Sequence, residues 1–131
     1  MTQTIDTARL FDHTAFAELL NALLDLLDNK APESEIGEQL QRLQRQLQQQ
    51  FAAEEQAMQA ANYPATAAHK EHHDRALGKL AQRVAQWQQR RDRRALQDYA
   101  ENELAEWFVS HVNTRDYVTA KHLSLPQQAD T

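Results

Sequence analysis

Helix-breaking residues are so scarce in this chain that its fold is constrained from the outset. With Gly 2 and Pro 3 among 131 residues, it has few places to turn. Three interruptions stand out. Asp28 to Ser34 (DNKAPES) joins an acidic end to a proline and a serine suited to starting a helix. Ala61 to Ala65 (ANYPA) puts Pro64 where it can occupy the first position of a new helix. Gln88 to Ala95 (QQRRDRRA) is a charged, polar interruption. Between them the sequence predicts helices over 8–29, 34–62, 64–89 and 95–115, a short turn near Tyr117 to Lys121, and a flexible tail over 124–131. The domain is therefore expected to span 1–123. Each segment carries a stripe at helical spacing. The first runs His13, Phe16, Ala17, Leu20, Leu24, Leu27, and the second Ile36, Leu40, Leu43, Leu47, Gln50, Glu54, Met58. The third runs His69, His73, Leu77, Leu80, Val84, Trp87, and the fourth Leu96, Leu104, Trp107, Phe108, His111. Long helices with short connections predict an all-α, up-down-up-down antiparallel four-helix bundle.

Every stripe turns polar at one point. His13, Gln50, Glu54, His69, His73 and His111 lie on faces that otherwise belong to the core. In an antiparallel hairpin, residues equally far from the turn share a height, at about 1.5 Å of rise per residue. His13 lies 19 residues before Pro32, and Gln50 18 after it. Around Tyr63, Glu54 is 9 before, while His69 and His73 are 6 and 10 after. Around Asp92, His73 is 19 before and His111 19 after. These groups therefore fall in one layer. Burying them without partners costs several kcal/mol per charged group. A metal resolves that cost: imidazole and carboxylate donors suit iron, manganese or zinc, and bridging carboxylates hold two cations that otherwise repel. The ferritin-like arrangement needs Glu-x-x-His pairs, and no histidine here has a Glu three residues before it.

Composition narrows the rest. The formal charge of −5, with acids and bases interspersed, offers no electrostatic case for nucleic acid. Cys 0 excludes disulfides, thiolate metal sites and iron–sulfur clusters. FAELLNALLDLL, the most apolar stretch, carries Glu18, Asn21 and Asp25, so no membrane span is expected. MTQTIDTARL has neither a basic start nor an apolar core, so no secretory signal is expected and the chain is read as cytoplasmic.

The polar layer resembles that of the hemerythrin family, bacterial branch. HTAFAELLN (His13 to Asn21) keeps that family's His and Asn spacing. QFAAEEQAM, YP and HKEHH match its His-Phe-x-x-Glu-Glu-x-x-Met, Tyr and His-x-x-x-His elements except at the first letter, which is Gln50. WFVSHVNTRD supplies Trp107, His111 and Asp116. The resemblance covers roughly residues 10–120. It implies two non-haem irons bridged by an oxo or hydroxo group and by Glu54 and Asp116. One iron would take His69, His73 and His111; the other, open to O2, would take His13 and the side chain at position 50. It also implies an apolar O2 pocket of Phe16, Trp107, Phe108 and Val112, where Phe108 is larger than the leucine usual in the family. O2 or a related diatomic or peroxide is the implied ligand.

Several residues also have plainer readings. His69 and His73 alone would suit a surface pair. Asp116, five residues past His111, is about 140° round a straight α-helix, so it reaches the layer only if that helix loosens. Gln50 is equally a buried amide bonded to a neighbour, a weak oxygen ligand, the holder of a metal-bound water, or the cause of a poorly filled second position. The favoured expectation is a two-metal site with a more open second iron, because His13 and both acids are retained. His72 and His122 are expected to face solvent, and Glu55 solvent or a neighbouring helix. Function divides between O2 storage, delivery or sensing, an oxidase, peroxidase or nitric-oxide-reactive enzyme on the same metals, and a helical interaction module.

Overall fold

The computed structural model describes residues 6–124 together with the backbone of Thr2–Gln3 and Gln127–Gln128. Within them the chain forms a four-helix bundle preceded by one helical turn, α1 (Thr7–Leu10). The first three long helices are α2 (Thr14–Asp28), α3 (Glu33–Ala60) and α4 (Thr66–Arg90). The fourth rod is continuous but not uniform. It passes through α5 (Arg93–Asp98), a π-helical segment π1 (Tyr99–Leu104), α6 (Ala105–His111), a second segment π2 (Val112–Asp116) and α7 (Tyr117–Leu123). Helix α3 packs on both α2 and α4, while α5 and π1 close the bundle against α2. The backbone of Thr2–Gln3 pairs antiparallel with Gln127–Gln128. The rest of the expected 124–131 tail, apart from Ser124, lies outside the described residues.

Each turn between rods ends on a residue with a left-handed backbone: Lys30 (φ 54°), Asn62 (φ 53°) and Arg91 (φ 53°). This conformation closes a helix by turning the next amides back onto its last carbonyls. Ala31 N–H accordingly donates to Leu26 O at 2.9 Å, and Tyr63 N–H to Met58 O at 2.9 Å. The expected helix over 8–29 is instead broken at Phe11–His13. Asp12 accepts the Thr14 backbone N–H at 3.0 Å and starts a new helix, leaving His13 at its cap position. The QQRRDRRA interruption is shorter than expected. Asp92 accepts the Ala95 N–H at 3.0 Å, and the helix restarts at Arg93. The fourth rod then continues past 115 to Leu123, so the turn expected near Tyr117 is helical.

The core follows the stripes. Phe16, Leu20, Leu23 and Leu27 of α2 meet Ile36, Leu40, Leu43, Leu47 and Phe51 of α3. Leu80, Val84 and Trp87 of α4, with Leu96, Tyr99, Ala100 and Leu104 of the fourth rod, complete it. Leu23 takes the place expected of Leu24, which is only half-buried. No helix among the described residues is long and apolar enough to cross a membrane. Leu43, fully buried between the rods, gives a direct check. Leu43→Ala is expected to lower stability by about 2–5 kcal/mol in urea denaturation; a loss under about 1 kcal/mol would mean that this face is not packed as described.

Candidate metal centre

Every long rod contributes to one buried layer. His13 stands at the start of α2, Glu54 near the end of α3, and His69 and His73 one turn apart on α4. His111 ends α6 and Asp116 ends π2. Donor atoms of Glu54, His69, His73, His111 and Asp116 all lie within 4.8 Å of one another. His13 joins them through Asp116, with Nε2 2.7 Å from Oδ2. All six side chains are buried.

Asp116 reaches the layer because the helix loosens. Between Val112 and Asp116 the backbone pairs i with i+5, as when the Tyr117 N–H meets the Val112 carbonyl. Wider pairing turns the chain less per residue, so the fifth residue after His111 returns to the same face. His111 Nε2 and His69 Nε2 then lie 2.9 and 3.0 Å from Asp116 Oδ1.

The carboxylates divide the layer in two. Oδ1 of Asp116 faces His69 and His111, and Oε1 of Glu54 lies 3.2 Å from His73 Nε2 and 3.9 Å from His69 Nε2. The second oxygens face His13: Asp116 Oδ2 at 2.7 Å and Glu54 Oε2 at 3.9 Å. Nε2 of His13, His69, His73 and His111, Oε1 of Glu54 and both oxygens of Asp116 are buried and, apart from these contacts with one another, meet no hydrogen-bond partner. Two donors held at right angles on one cation at about 2.1 Å sit about 3.0 Å apart, close to the shortest contacts among these atoms, 2.7 to 3.2 Å. The donor set therefore fits cations, with three imidazoles on one side, one on the other, and two acids between them.

Partners behind the ring orient it. Thr119 Oγ1 lies 2.8 Å from His69 Nδ1, and Glu55 Oε2 lies 2.9 Å from His73 Nδ1. With an acceptor at Nδ1, the ring proton sits there and Nε2 presents its lone pair to the layer. Thr119 in turn donates to Tyr63 Oη at 3.3 Å. Phe51 stacks on His73 with centroids 3.7 Å apart, fixing that ring. Glu55 and Thr119 were missed in the sequence. Glu55 sits 8 residues before Tyr63 and His73 10 after it, so the height argument could have found Glu55; Thr119 lies beyond the expected helix end.

Gln50 is half-buried and donates from Nε2 to two acceptors, Leu10 O at 2.6 Å and Glu54 Oε2 at 2.7 Å. Two acceptors fix the amide nitrogen toward Glu54, so Gln50 faces that carboxylate with a donor. Phe16 and Phe108 lie 4.5 Å apart, and Phe108 meets His13 edge-on at 5.4 Å. Trp107 stacks on His111 at 4.7 Å and Val112 is half-buried. Asn21 is exposed and takes no part. His72 departs from expectation: it is half-buried and stacked on His111 at 4.9 Å, with burial and the neighbouring His111 pushing its pKa down to about 4. Glu55 takes the second of its two expected places, meeting His73 on the neighbouring helix α4.

The two acids are electrostatically unequal. Burial and the negative charge of Asp116 push Glu54 up to about 8. Burial would also raise Asp116, but the imidazoles of His111, His13 and His69 outweigh it and hold its carboxyl well below the usual range. Burial lowers His73 and His111, whereas in His13 Asp116 outweighs burial and raises the ring.

These features define a helical bundle with a buried cluster of histidines and carboxylates suited to metal binding. The model of the hemerythrin HHE cation binding domain matches residues 7–122, and the chain belongs to the hemerythrin family. It is 32% identical over 114 residues to a bacteriohemerythrin of Ralstonia nicotianae, covering 85% of this chain and 76% of that protein. A solved crystal structure of a leucine-to-phenylalanine point mutant superposes with a TM-score of 0.74 at 29% identity, covering 86% of this chain and 83% of the other.

Two outcomes test the centre. Glu54, raised in the fold, stabilises the metal-free protein below the ordinary carboxylate range, and that contribution is lost as pH rises through about 8. Glu54→Gln should therefore raise the metal-free melting temperature relative to the wild type at pH 9 while cutting metal uptake; an unchanged difference between pH 5 and 9 would contradict the burial of that charge. Glu55→Gln and Thr119→Val should each weaken metal binding by about 10–100-fold in competition with a chelator, and unchanged affinity would remove them from the site.

Proposed function

We propose that this chain holds a pair of non-haem irons bridged by Glu54, Asp116 and an oxo or hydroxo group, and binds O2 for storage, delivery or sensing. The single observation carrying this reading is the split of the carboxylate oxygens, one of each acid toward His69, His73 and His111 and one toward His13. Membership of a family described as cation binding, and similarity to a bacteriohemerythrin, support it. When bound, such a pair supplies the electrons that O2 takes up and recovers them on release.

The chain's own residues would set how that chemistry runs. His69, His73 and His111 would saturate one iron with imidazole, and His13 alone would serve the other. Phe16 and Phe108 wall off water beside His13, which favours a small apolar diatomic over a hydrated ion. Gln50 brings a donor rather than a lone pair to that side, leaving the second iron more open. That observation also favours a second reading. A position with fewer protein ligands exchanges small ligands readily, as in an oxidase, a peroxidase or a nitric-oxide-reactive enzyme. It also makes the second metal the weaker bound of the two.

Metal analysis should give about two irons per chain, with near-ultraviolet absorption after air exposure that bleaches on reduction and returns with O2; one iron or none after careful reconstitution would contradict the reading. Gln50→His should slow autoxidation of the reduced, O2-treated protein several-fold. An unchanged rate would reject the open second position as the source of oxidation.

A further inference from the structure

The fourth rod has two π-helical segments, and the metal layer accounts for only one of them. π2 delivers Asp116, whereas π1 delivers no ligand. Single π turns cost regular pairing and recur at functional sites. A cavity of about 360 Å³ opens where π1 faces α4, walled by His72, Ala76, Tyr99, Leu104 and Trp107 with Arg75 at its rim. Its volume lies within the range of small-molecule sites. Three of its walls are rings, and Trp107 and His72 lie face-on to each other with centroids 5.5 Å apart.

The charge at the mouth is distinctive. Lys79 pairs with Glu103 at 3.0 Å, and Arg75 with the exposed Glu71 at 2.6 Å. Among the lining residues two cations, Arg75 and Lys79, face one acid, Glu103, in a chain of formal charge −5. Ring-lined walls favour flat, polarisable surfaces, and a local excess of positive charge favours an anion. We propose that this cavity is a binding site for a small planar aromatic anion, with its ring against Trp107 and Tyr99 and its acidic group toward Arg75 and Lys79. Of the implied O2 pocket's residues the site shares only Trp107, and its existence does not depend on the number of irons bound. It adjoins the metal layer only through Trp107 and His72, which both stack on His111.

Calorimetric titration of the iron-loaded protein with 1-naphthoate tests this. One saturable site per chain is expected, with Kd below about 1 mM. Ala76→Phe, which fills the cavity, should abolish it, and the exposed Arg75→Glu should weaken it roughly tenfold. Arg94→Glu, a charge reversal away from the cavity, should leave affinity unchanged, and iron content should stay constant in all three variants. Absence of saturable binding, or equal affinity in Ala76→Phe, would overturn the site. Equal affinity for the neutral 1-naphthalenemethanol would overturn its assignment to an anion.

Discussion

Two carboxylates sealed inside a helical bundle are the constraint to which the rest of this structure answers. Neither Glu54 nor Asp116 reaches water, and each charge would cost several kcal/mol without compensation. Imidazoles alone compensate unevenly. They hold Asp116 charged, while Glu54, beside that charge, is driven toward protonation. A cation on each side would neutralise both acids at once and occupy the lone pairs that now converge with no partners but one another. Apolar packing above the layer holds the rods so that this convergence is fixed by the fold. The ring partners Thr119, Glu55 and Phe51 then aim individual donors.

Departures from regular helix serve that layer. The break at Phe11–His13 frees the first histidine from the α2 ladder, letting its ring turn inward at the cap position. The π2 segment brings an acid back to a face that α-helical geometry would have carried it away from. Gln50 ties these features together, since one amide nitrogen holds both the carbonyl of Leu10, just before the break, and the inner oxygen of Glu54. An imidazole at position 50 could not span those two acceptors from a single nitrogen. Gln50 therefore anchors the N-terminal turn as well as setting which atoms face the His13 side of the layer.

Much of this was legible in the sequence because the signals were geometric. Stripe periodicity gave the four rods, and equal distances from Pro32, Tyr63 and Asp92 brought His13, Glu54, His69, His73 and His111 to one height. The need for a loosened helix at Asp116 followed from 140° of misplacement, although no residue type announces a π turn. Other features were hidden by boundaries. Thr119 lay past the expected end of the fourth helix, and the restart at Asp12 depends on one side-chain hydrogen bond that periodicity does not register. His72 looked like a solvent-facing neighbour of a ligand, and Glu55 suited either solvent or a neighbouring helix. The inward turn of His72 depends on ring stacking, which only the packed arrangement reveals, and that of Glu55 on its bond to His73 Nδ1.

X-ray absorption at the iron edge of the reconstituted protein is the most direct test of convergence on paired cations. The expected spectrum has imidazole scattering from four histidines shared unequally between the irons, and a metal–metal vector of about 3–4 Å. It should keep that vector while losing imidazole scattering when His13 is replaced by alanine only if the second iron survives on the two bridging acids. Iron without imidazole neighbours in the unaltered protein, or with no second metal at that distance, would contradict the account.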